Sequence, residues 1–145
     1  SMPMVGPSAS EVLDVISEIR VSMLTDEQLM NSSVIRKWFS ERLSSFLPSA
    51  SGRFLQCLTH RNISCQTYHQ IVQILSHLQS HMTPPRQMSV YTHFIKVFLT
   101  RNHTADPQCL SSANNSAEWL KNNFGFFSRF ATVTEFYMLN PHFSG

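Results

Sequence analysis

The stretch from Ser64 to Pro85, SCQTYHQIVQILSHLQSHMTPP, constrains this chain more than any other. Tyr68, Ile71, Val72, Leu75, Leu78 and Met82 recur at i, i+3, i+4, i+7, i+10 and i+14. That spacing puts them on one face of an α-helix running to about Met82. Ser64 stands where an N-cap belongs. Thr83-Pro84-Pro85 ends the run and opens another helix, because proline is pre-set for a first helical turn. A helix with one long apolar face has to bury that face, so the rest of the chain must supply helices or sheets to cover it.

Helical signals dominate that remainder. Ser33 to Leu47 places Ile35, Trp38, Phe39, Leu43 and Phe46 on one face, and Pro48 stops the helix. Ser51 to His60 gives a shorter helix through Phe54, Leu55 and Leu58. After Pro85, the residues Met88, Tyr91, Phe94, Ile95, Phe98 and Leu99 form an apolar face. Residues 101–115 read as a loop with one short turn at Asp106–Leu110. Ser116 to Asn123 reads as a helix terminated by Gly125, since glycine tolerates a left-handed cap. Short helices follow around Ser128–Ala131 and Thr134–Asn140, and Pro141 ends the last.

Upstream, residues 1–9 read as a flexible lead-in, with Ser1-Met2 as a tag remnant plus start codon. Ser10-Glu11 opens a helix with Val12, Ile16, Ile19 and Met23 as its stripe, and Leu13 and Val15 widen it. Thr25 is the next N-cap. No Asn-Gly hairpin and no sustained alternation of apolar and polar residues argues for strands. The predicted class is all-α. Residues 10–145 form a single domain, a compact bundle of about six to eight helices, and one unit of a larger protein.

The block WLKNNFGFFSRFA at 119–131 admits two readings. Trp119, Phe124, Phe126, Phe127 and Phe130 could form a platform for a ligand, or the inner corner of the bundle. A buried phenylalanine contributes about 1.5–3 kcal/mol, and exposing four would invite aggregation. Lys121 and Arg129 are too few for the charged groove that a single-stranded nucleic acid needs. The chain's net charge of only +2 likewise indicates no nucleic-acid partner. The core reading is therefore preferred.

Charged residues make up 14% of the chain, against about 25% in an average soluble domain. A surface built from Ser, Thr, Asn, Gln and His suits a secreted or multi-domain protein. The sequons point the same way. Asn31-Ser-Ser, Asn62-Ile-Ser, Asn102-His-Thr and Asn114-Asn-Ser all match the N-glycosylation acceptor pattern. Eight asparagines at this Ser and Thr content would give about 1.6 such matches by chance. Each also sits at a loop or helix start, where Asn and Ser serve equally well as caps. No apolar run approaches the ~18–20 residues of a membrane span.

There are three cysteines, Cys57, Cys65 and Cys109. An odd number allows one bridge and one further thiol, or three reduced thiols in a reducing compartment. A Cys57–Cys65 bridge would staple adjacent helices, and a bridge from Cys109 to either would tie down a distant loop. Spacing leaves the pairings open. Cys65–Cys109 is favoured because Cys57, beside Leu58 on a helix stripe, reads as a buried thiol.

Trp38-Phe39-x3-Leu43-x2-Phe46 echoes Trp119-Leu120-x3-Phe124-x2-Phe127, each with a sequon upstream. Helical spacing alone also generates such matches; a true repeat would imply units that bury their faces on neighbours. The order of a WF helix, CLTHRNISCQTYHQIVQIL, VYTHFIKVFL, a loop cysteine, WLKNNFGFFSRFA and LNPHFSG resembles the repeat units of extracellular proteins of the mesothelin, stereocilin and otoancorin superfamily. The resemblance covers roughly residues 30–145. Its most specific pieces are N-I-S-C-x-x-Y at 62–68, N-F-G-x-F-S-x-F at 123–130 and L-N-P-x-F-S at 139–144. It implies an armadillo-like stack of helices, N-glycosylation and a role in cell-surface or matrix adhesion. The chain departs from those proteins in being one unit only.

Catalytic and metal chemistry find little footing. His77 and His81 have the i, i+4 spacing that can chelate, but no acid on that helix completes a set. Cys57 with His60 lacks a closing pair. There is no G-x-S-x-G elbow, no P-loop and no G-x-G-x-x-G. No catalytic, cofactor or metal residue is assigned, and no cofactor is expected. The expected function is a non-enzymatic extracellular or cell-surface module for adhesion or protein–protein recognition, with a protein or glycan partner. The alternatives are a cytoplasmic helical adaptor with all thiols reduced and, less favoured, a thiol-dependent enzyme using a Cys/His pair.

Overall fold

The computed structural model describes residues 15, 19–20, 22–42 and 47–144. The predicted lead-in 1–9, the helix start at Ser10-Glu11, and Leu43 and Phe46 lie outside these residues. Among the described residues the chain is all-helical, with eight α-helices and no strand. No helix of the described residues is long and apolar enough to cross a membrane.

Local sequence sets most boundaries. Helix α1, Asp26–Met30, starts with a capping box in which Thr25 and Gln28 satisfy each other's backbone N–H. Helix α2, Ser32–Lys37, is capped by the Asn31 side chain and runs into a π-helical turn, Trp38–Arg42. After a 3-10 turn at Leu47–Ser49 come α3, Gly52–Thr59, and α4, Cys65–His77, capped by Ser51 and Ser64. The α-helical part of α4 is shorter than its stripe suggests. It ends at His77, and a 3-10 turn, Gln79–His81, carries the chain to buried Met82.

Helix α5, Pro84–Val90, a π turn, Tyr91–Ile95, and α6, Lys96–Leu99, form one continuous rod. The π turn explains a misplaced residue. One extra residue in the turn rotates the helix before it by about 100° relative to the helix after it. Val90 therefore faces inward, and Met88, expected in the core, is 53% exposed. A 3-10 turn at Leu110–Ser112 then leads to α7, Ser116–Asn123, with Asn115 as its cap. Gly125 comes next at φ +53°, within the 3-10 segment Gly125–Phe130, and α8 spans Val133–Leu139.

Helix α4 is the axis of the packing. It contacts α2 on one side and α7 on another, and it buries Tyr68, Ile71, Val72 and Leu75. Helix α7 runs beside it in the same direction: Asn123 meets His69, and Gly125 meets Val72 and Ser76. The aromatic block lies inside. Trp119, Phe124 and Phe127 are at most 1% exposed, and Trp119 packs edge-on against Phe124 and Phe136. Phe126 and Phe130 are half-buried at its margin, with the Arg129 guanidinium 3.7 Å from the Phe126 ring centre. Of the expected N-terminal stripe, Val12, Leu13 and Ile16 lie outside the described residues, and Val15, Ile19 and Met23, four residues apart, are all exposed.

Candidate functional site

The most elaborate end of the molecule gathers around the start of α4. Cys65 is the first residue of that helix and is joined to Cys109, with sulfur atoms 2.05 Å apart and Cα atoms 5.8 Å apart. Cys109 is fully buried and adopts a left-handed conformation, φ 55°. The third cysteine, Cys57, lies outside this bridge on α3, half-buried rather than fully buried as its place beside Leu58 suggests.

The loop that delivers Cys109 is fixed by polar contacts. Arg101 donates to the carbonyls of Phe98 and Pro107, lies 3.5 Å over the Phe98 ring, and points Nη2 at Cys65 Sγ, 3.9 Å away. Burial pulls the Arg101 pKa down, while Tyr68 and Asp106 oppose that shift. Asp106 accepts from the backbone N–H of Leu110 and Ser111 and from the Ser111 hydroxyl. Burial pushes its carboxyl up, but these hydrogen bonds and Arg101 outweigh it and hold the pKa below the usual value. Gln108 bonds both ways, its side chain to Leu99 O and its carbonyl to Trp119 Nε1. Arg101 and Gln108 carry no mark in the sequence because Cys65 and Trp119 are brought to them only by folding.

The four sequon asparagines share a property. Asn31, Asn62, Asn102 and Asn114 are all exposed, and none lies inside a helix. Of the other four asparagines, Asn123 and Asn140 are buried, Asn122 is half-buried within α7, and Asn115 is exposed as the cap of α7. Three sequons lie near the disulfide or its loop in sequence. Asn62 precedes Cys65 by three residues, Asn102 adjoins Arg101, and Asn114 follows Cys109 by five. Arg61, beside Asn62, donates to Leu24 O and pairs with Asp26 at the start of α1, the helix that precedes Asn31.

Between the start of α7 and residues 140–144 lies an open groove of about 410 Å³. Asn114, Asn115 and His142 line it, and Leu110 and Trp119 contribute apolar wall. Ser144 N–H donates to Ser116 Oγ across it, at 2.9 Å.

The remaining polar clusters are structural ties. Tyr91 donates to Glu135 Oε2, and Lys96 Nζ lies 3.5 Å from the same oxygen, joining the π turn to α8. The Tyr91 hydrogen bond lowers the Glu135 pKa despite partial burial, while burial and Glu135 together raise that of Tyr91. His77 and His81 are exposed, and the end of α4 at His77 removes the helical register that would have paired them. Among the described residues no three His, Cys, Asp or Glu side chains converge as metal ligands. Comparisons with family models, with curated proteins and with solved structures give no match to this chain.

Proposed function

We propose that the chain is a non-enzymatic, N-glycosylated module of an extracellular or cell-surface protein, serving adhesion or protein–protein recognition. One observation carries the reading. Every sequon asparagine is exposed and outside the helices, while buried asparagines occur only elsewhere. Helix capping also places asparagines at the surface, as at Asn31 and the non-sequon Asn115; a glycan demands a solvent-facing acceptor, and all four sequons supply one. The Cys65–Cys109 bridge is compatible with an oxidising compartment.

An armadillo-like stacking of this unit with neighbours, as the mesothelin-like resemblance implies, belongs to the same proposal. Its support is the exposed apolar residues on two elements: Val15, Ile19 and Met23 upstream, Val133 and Tyr137 on α8. A unit within a stack needs covering faces of this kind.

The test is the intact mass of protein secreted from a eukaryotic cell, with and without reductant and with and without glycan removal. Added glycan and a mass gain on reduction support the proposal. A secretion failure with three reduced thiols would instead favour a cytoplasmic adaptor. Selective labelling of one cysteine by thiol-directed activity probes would favour an enzyme.

A further inference from the structure

The sequon at Asn114 differs from the others in its surroundings. Its side chain lines the groove between the start of α7 and residues 140–144. Its Nδ2, the atom a sugar is joined to, donates to Glu118 Oε2 at 3.3 Å, so the sugar starts beside the groove. Asn140 also lines it. This residue is only 7% exposed, and its Oδ1 is taken by His142 N–H. Its Nδ2 has no hydrogen-bond partner among the described residues. A buried amide donor without a partner is costly, of order 1–3 kcal/mol, and calls for an acceptor from outside the protein. The walls offer the mixture that binds a sugar: hydroxyl and amide groups beside an apolar surface from Leu110 and Ala113.

We propose that this groove seats the innermost N-acetylglucosamine of a glycan carried on Asn114, whose acetamido oxygen accepts from Asn140 Nδ2. The sugar then bridges the start of α7 to residues 140–144, reinforcing the Ser144-to-Ser116 hydrogen bond and the Trp119–Phe143 contact that link them. Asn31, Asn62 and Asn102 do not line this groove, so their glycans start outside it, on exposed side chains. The inference rests on the glycoprotein reading above and adds a defined role for one site.

The experiment uses the full chain secreted from a eukaryotic cell and treated with peptide-N-glycosidase before and after denaturation, with occupancy read site by site from peptide masses. In the native protein, release at Asn114 should be slower than at the other three sites by on the order of tenfold, and the rates should converge after denaturation. In parallel, amide hydrogen exchange across residues 140–144 should quicken in Asn114→Gln and stay unchanged in Asn31→Gln. Equal native release at all occupied sites, or an empty Asn114 beside occupied neighbours, overturns the inference and leaves the glycoprotein reading standing. Four empty sites on secreted protein overturn both.

Discussion

The Tyr68 hydroxyl donates a 2.6 Å hydrogen bond to the backbone carbonyl of Asn123, 55 residues away in sequence and one helix away in space. Asn123 in turn accepts from His69 Nε2 at 2.9 Å through Oδ1 and donates to Trp119 O through Nδ2. Since Nδ2 faces Trp119 O, Oδ1 must face the imidazole, and Nε2 must carry the proton. This network locks α7 to α4 inside an aromatic core, where Tyr68 also stacks on Phe98 at 4.0 Å.

Tyr68→Phe keeps the ring and its stacking but strands the buried Asn123 carbonyl. The expected cost is about 1–3 kcal/mol, read as a lower urea midpoint at unchanged slope. Asn123→Ala, which loses two side-chain bonds and leaves a void, should cost more. A Tyr68→Phe variant as stable as the parent would show that the carbonyl finds another partner.

His69 makes stability depend on pH. Burial lowers its pKa below 6.5, and the hydrogen bond to Asn123 only partly opposes this. As pH falls below about 6.5, the unfolded chain takes up the His69 proton before the folded one does. Stability therefore declines through that window and levels off once the folded imidazole also protonates. The carboxylates with lowered pKa, Asp106 and Glu135, lose their contribution only at more acidic pH. Urea midpoints between pH 5 and 7.5 should slope downward towards acid in the parent, and the slope should shrink in His69→Gln.

The Cys65–Cys109 bridge spans 44 residues. In the chain-entropy account, a closed loop of that size stabilises by about 4 kcal/mol. Reduction, or Cys65→Ala with Cys109→Ala, should lower the denaturation midpoint accordingly. Hydrogen exchange should rise first across residues 101–115, which the hydrogen bonds of Arg101, Asp106 and Gln108 would then hold without the bridge. Cys57→Ala should leave the reductant-sensitive step intact.

Gly125 is the sharpest steric constraint. At φ +53°, a Cβ would meet Ser76 Oγ at 2.3 Å, and that oxygen accepts from Phe126 N–H. Gly125→Ala should destabilise by about 1–2 kcal/mol from backbone conformation alone, with the clash added. Pairing it with Ser76→Ala relieves the clash but not the backbone cost, so the double variant should recover only in part. Thermal or urea unfolding of the three proteins distinguishes the two contributions.

Much of this architecture was legible in residue order. The caps at Thr25, Ser51 and Ser64 mark helix starts because a side-chain oxygen satisfies a nearby backbone N–H, an interaction completed within a few residues. The Tyr68–Leu75 stripe, the Pro84 start and the Gly125 stop are local in the same sense. Two of the misplacements came where local periodicity fails. Met88 faces solvent because the π turn after it resets the helix phase, and Ile19 and Met23 are exposed because a stripe specifies a face but not its cover.

The site shows the same division. Sequence alone determined where glycans could attach, which cysteines could bridge, and that the aromatic block is too apolar to leave outside. Only the tertiary structure decided that Arg101 reaches Cys65, that Tyr68 meets Asn123, and that Asn114 opens onto the groove beside Asn140. The reason is physical: caps and stripes are short-range and repeat with the helix, whereas these contacts join residues 26 to 55 positions apart, and only the packing of helix against helix brings them together.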